Sequence, residues 1–141
     1  MLRISARALF AARLVQARQL RGLSQRSLGD RMGLGKEKGS SRINRYERQV
    51  TAISFESLEK LAEALDVPIA YLLAETSAMA DGILALSQAD QARLDGLVLA
   101  LRGLSADPAL VAALLGILNL PKREQQRVRT AIKSLISGGT T

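Results

Sequence analysis

The residues best equipped for chemistry sit in one polar run, Ser40-Ser41-Arg42-Ile43-Asn44-Arg45, with Arg48 close behind. They supply hydroxyls, an amide and guanidinium groups. They include no nucleophile with an adjacent base, and the chain of 141 residues has no His and no Cys. Thiol catalysis, Ser-His-Asp relays, Cys/His zinc sites and disulfide frameworks are therefore excluded. Directed hydrogen bonding remains. An Asn amide can grip adenine through N6 and N7, and an Arg guanidinium can grip guanine through O6 and N7. Those groups discriminate only when a rigid element holds them outward together.

The spacing around the run predicts such an element. Ile43 and Tyr46 are three apart and form the apolar side of a short helix, leaving Ser40, Ser41, Asn44, Arg45 and Arg48 on the opposite face. A second short helix precedes it, capped by Ser24, with Leu28 and Met32 inward and Gly33 as its breaker. Two short helices that cross closely need a small residue at the contact, which Gly29 provides, and a turn residue tolerant of positive φ, which Gly33 provides. Leu28, Met32, Leu34, Ile43, Leu58 and Leu61 then make a small core. Before them, Leu9, Phe10, Leu14, Ala17 and Leu20 mark one face of a helix ended by Gly22. After them, Ser54 caps a helix with Leu58, Leu61, Ala62 and Leu65 inward, and Pro68 leads into a last turn, Ile69 to Leu73. Two-residue alternation is nowhere sustained, so an all-α fold is predicted.

The ordered set Gly22-Leu23-Ser24-Gln25, Gly29 four before Gly33, Arg45-Tyr46-Glu47-Arg48, and Leu58…Leu61-Ala62…Leu65…Val67 resembles the Cro/C1-type (XRE-like) helix-turn-helix domain across residues 9–73. The resemblance implies a five-helix lambda-repressor-like domain followed by a small C-terminal helical region. Its third helix would enter a major groove about 12 Å wide. It also implies an ion pair between Arg18 and Glu47, a structural Tyr46, and Gln25 near phosphate at the start of the second helix. One departure stands out: Leu34 and Ile43 lie farther apart than in the family, with Gly35-Lys36-Glu37-Lys38 or thereabouts as extra residues. Either the turn is longer or the recognition helix starts earlier. A longer turn is expected, with the helix beginning near Gly39 or Ser40 and with Lys36 and Lys38 close to phosphate.

Charge supports that assignment without proving it. Residues 1–48 carry 12 Lys/Arg against 3 Asp/Glu, a net of +9; residues 49–73 carry −3 and residues 74–141 carry +1, giving the total of +7. A cationic third attracts polyanions, although solvated helix faces would give the same count. The candidate base-contact set is Ser40, Ser41, Asn44 and Arg45, the two serines reaching either a base or a phosphate. The candidate phosphate-contact set is Gln25, Arg26, Lys36, Lys38, Arg42 and Arg48. Arg18, Leu28, Gly29, Gly33, Ile43, Tyr46 and Glu47 hold the motif together.

The expected organisation is a DNA-binding domain over 1–73, a connector over 74–86 that could be helical, and a helical region over 87–137. In the last, Leu94, Leu97, Val98 and Leu101 are in phase. Residues 109–118 are apolar on every side, as in the core helix of a small bundle or in a subunit interface; dimerisation is the favoured reading. The acids there are scattered and no Gly-rich phosphate loop is present, so no enzyme activity, cofactor or metal is expected. The longest charge-free apolar stretch, 109–120, is shorter than the roughly 18 residues of a span. The spread of Arg3, Arg7, Arg13 and Arg18 differs from a secretory signal, so a cytoplasmic location without membrane contact is expected. These features predict a sequence-specific double-stranded DNA-binding transcriptional regulator, acting as a homodimeric repressor. The alternative is an antitoxin-type DNA-binding protein whose C-terminal helices bind a partner toxin.

Overall fold

In a computed structural model, residues 4–35 and 38–138 are described. Every regular element among them is an α-helix: α1 (Ala6–Leu20), α2 (Gln25–Arg31), α3 (Lys38–Glu47), α4 (Phe55–Leu65), α5 (Ile69–Leu72), α6 (Ser77–Ser87), α7 (Gln91–Ala106), α8 (Pro108–Leu118) and α9 (Lys122–Gly138). They form two compact units, Met1–Asp90 and Gln91–Thr141.

Local chemistry sets the helix ends in the first unit. Ser5, Ser24 and Ser54 each accept a hydrogen bond from the backbone N–H three residues on, capping α1, α2 and α4. At the far end of α2, Gly33 adopts φ 70°. That lets Leu34 N–H reach back to Gly29 O at 3.1 Å and turns the chain toward α3. Gln49 (φ 61°) and Asp66 (φ 51°) play the same part after α3 and α4 without being glycine.

The core draws on all these helices. Leu14, Leu28, Ile43, Leu61, Leu65 and Tyr71 are fully buried, and the Phe10 and Tyr46 rings meet edge to face at 6.1 Å. Each buried aliphatic side chain contributes about 1.5–3 kcal/mol of burial free energy. The inward stripe of α1 is Phe10, Ala11, Leu14 and Ala17. Leu20, expected inward, is exposed, because at 100° per residue it falls off that stripe.

The stretch 74–86, which the sequence suggested as a connector, contains most of α6. Thr76 caps it, Ala80 is fully buried, and Ile83 and Leu84 pack on the core of the first unit.

In the second unit, Asp107 caps α8 by accepting from Ala109 and Leu110 N–H, and Pro108 occupies the first helical turn. Gln125 Nε2 donates to Leu118 O and Leu120 O, both at 2.9 Å, and so fixes the start of α9 against the end of α8. No described helix alone is long and apolar enough to cross a membrane.

Candidate nucleic-acid interface

The placement of α3 rests first on a glycine pair. An added Cβ on Gly29 would lie 2.6 Å from the Cα and C of Gly39; one on Gly39 would lie 2.8 Å from Gly29 Cα. Backbone touches backbone at this crossing, so neither position has room for any side chain. Sequence reasoning found Gly29 but missed its partner. Gly39 was legible only as a helix start, because the extra residues after Leu34 obscured the register.

Among the described residues α3 begins at Lys38, ahead of the expected start near Gly39 or Ser40. Gly39 N–H donates to Gly35 O at 3.0 Å. Close approach to Gly29 requires Gly39 inside the helix rather than ahead of it.

A polar network locks the other end of α3. Arg18 from α1 donates through Nε to Glu47 Oε1 at 2.6 Å, through Nη2 to Glu47 Oε2 at 3.2 Å, and through Nη1 to Leu23 O at 2.9 Å. Gln25, the first residue of α2, donates through Nε2 to Glu47 Oε2 at 2.6 Å and accepts from Asn44 Nδ2 at 3.4 Å. The Arg18 and Glu47 side chains are only 17% and 9% exposed. Four residues thus tie three helices together, and Asn44 is oriented by an amide that is itself anchored.

The outward surface of α3 carries two stripes. Lys38, Ser41, Arg42 and Arg45, spaced three and four apart, line a cleft whose opposite wall includes Thr51, Ser54 and Ser57. Ser40 and Asn44, both half-buried, continue into exposed Arg48 on the side toward Gln25. Ile43 and Tyr46 face the core. The only acid in α3 is Glu47, which Arg18 neutralises. Among the described residues, Lys38, Arg42, Arg45, Arg48 and, on α2, Arg26 are exposed and unpaired with any carboxylate.

A face that offers guanidiniums, an amide and hydroxyls, with no unpaired carboxylate on α3 among the described residues, suits a polyanion that also presents base edges. Of the residues nominated from sequence, Lys36 lies outside the described residues. The others fall on α3, its border, or the start of α2. The α4 wall of the cleft was missed. Its signal was the Ser54 cap beside Thr51, read only as helix punctuation.

Geometry therefore defines a helix-turn-helix unit with an outward, cationic second helix. Comparison with known proteins agrees. A family model described as helix-turn-helix matches residues 14–72. Among solved structures, that of the transcriptional regulator BswR is similar: 33% sequence identity, TM-score 0.60, with 68% of this chain and 96% of that chain covered. No curated protein sequence matches. The chain belongs to the XRE-type helix-turn-helix family of DNA-binding regulators.

Proposed function

We propose that the protein is a sequence-specific double-stranded DNA-binding transcriptional regulator that acts as a homodimeric repressor by occluding a promoter. The observation that carries this is the fixed presentation of Asn44 and Arg45, one held by the Arg18–Glu47–Gln25 network and the other exposed above a cationic cleft. In this reading α3 lies in the major groove. Asn44, Arg45, Ser40 and Ser41 read base edges, and Arg26, Lys36, Lys38, Arg42 and Arg48 meet phosphates. Gln25 meets phosphate too, while holding Asn44 in place. Thr51, Ser54 and Ser57 join the phosphate set because they share the cleft with Arg42 and Arg45.

One α3 covers few base pairs, so operator specificity calls for two copies on half-sites about 34–36 Å apart. Selection of bound fragments from random duplex DNA tests the assignment, followed by transcription from a promoter overlapping the recovered site. The expected result is an inverted repeat and a transcript lost as protein is added. A single unrepeated site would contradict the homodimer, and transcript gain would contradict repression.

A further inference from the structure

The second unit has helices but no interior. None of α7, α8 or α9 contains a buried residue; Leu94, Leu104, Val111, Ile117 and Val128 reach only half-burial. Apolar ladders at helical spacing stay open to solvent. On α7 they are Leu97, Val98 and Leu101, and on α8 they are Leu110, Leu114 and Leu118, each between 37% and 58% exposed. Leu99, Leu115 and Leu120 add further exposed apolar side chains on and beside these two helices. Apolar side chains exposed in such number on two adjoining helices mark an interaction surface rather than the ordinary exterior of a monomer.

Charge identifies the occupant. α8 has no charged side chain at all, and α7 has only Arg93, Asp95 and Arg102. An uncharged α8 meets a second α8 without like-charge conflict, which a two-fold interface demands. It also lacks the charge pattern by which one protein selects a different one. α9 is the reverse: Lys122, Arg123, Arg127, Arg129 and Lys133 stand against Glu124 alone, so two α9 helices repel.

We propose that residues 91–138 attain their stable fold only when α7 and α8 of two copies cover one another. Self-association and folding of this half are then one equilibrium, while the first unit, with its own core, folds without it. The inference rests on the homodimer reading above and is independent of DNA binding. Operator occupancy would rise steeply with the chain's own concentration.

The test uses the full chain: thermal unfolding followed by circular dichroism at several protein concentrations, with sedimentation to give mass and amide exchange to locate protection. Two copies are expected. One transition, from the first unit, stays fixed; the other moves to higher temperature as concentration rises. Leu114→Glu should give a monomer that keeps the first transition and loses both the second transition and the exchange protection over 91–138. A monomeric Leu114→Glu chain that keeps that protection would overturn the coupling while sparing the homodimer. A wild-type monomer at every concentration would overturn both. An assembly of four copies, or order that appears only when a different protein is added, would overturn the assignment of the occupant.

Discussion

Arg45 and Lys38 line the same cleft, and the proposed function gives them different work. On the proposed function Arg45 reads a base, so Arg45→Ala should weaken binding to the preferred site by about 1–3 kcal/mol and relax preference at one base pair. Lys38, at the start of α3, is proposed to meet phosphate. Lys38→Ala should weaken all sequences alike and flatten the dependence of log affinity on log salt by about 1. Equal loss of specific and non-specific binding in both variants would refute these roles. Glu47 acts at a distance from any base. Its removal leaves the Arg18 guanidinium, mostly buried, with only Leu23 O for company. Glu47→Ala should cost about 2–4 kcal/mol of stability in denaturant unfolding. A double-mutant cycle with Arg18→Ala should show coupling above about 1 kcal/mol; additivity would mean the pair is incidental. At this scale the sequence was informative where periodicity fixes a residue's side of the helix: Ile43 and Tyr46 are buried and Arg45 is exposed, as expected. It was silent on the Gln25–Asn44 hydrogen bond, since two amides nineteen positions apart leave no local pattern.

The elements depend on contacts that differ in how visible they are. Serine caps, the Gly33 turn and the periodicity of α4 are local and could be seen in the chain itself. The Gly29–Gly39 crossing is not local, and half of it went unrecognised. Gly39→Ala should separate α2 from α3 and destabilise the first unit by about 1–3 kcal/mol, seen as a lowered melting temperature. An unchanged melting temperature would show that the helices do not touch there. α6 was hard to see because its inward set, Ala80, Ile83 and Leu84, is short and follows a polar start. It helps enclose Tyr71, whose hydroxyl is buried without a hydrogen-bond partner. Burial, followed by the charge of Asp81, raises the Tyr71 pKa above 10.0. The unfolded chain therefore deprotonates first and holds fewer protons, so stability is present below about pH 10 and falls as pH rises above it. Tyr71→Phe should remove that part of the alkaline loss. Identical alkaline profiles for the two proteins would contradict this.

Across the whole molecule, function follows from where charge and apolar surface were concentrated. The excess of positive charge lies in residues 1–48, and of these Arg26, Lys38, Arg42, Arg45 and Arg48 stand exposed on α2, on α3 or just beyond it. The uncovered apolar surface of the second unit lies within residues 91–138. Composition revealed both concentrations. It could not show that residues 74–90 belong with the first unit, because that depends on α6 docking rather than on any break in the sequence. The central claim is that α3 is held rigidly enough to tell one duplex from another. Its most direct test is an equilibrium titration of the purified chain, at one fixed near-physiological salt concentration, against the duplex recovered by selection and a shuffled duplex of the same composition. The account predicts an affinity ratio of about a thousandfold or more, sharply reduced in Asn44→Ala and Arg45→Ala. Equal affinity of the wild-type chain for both duplexes would contradict it.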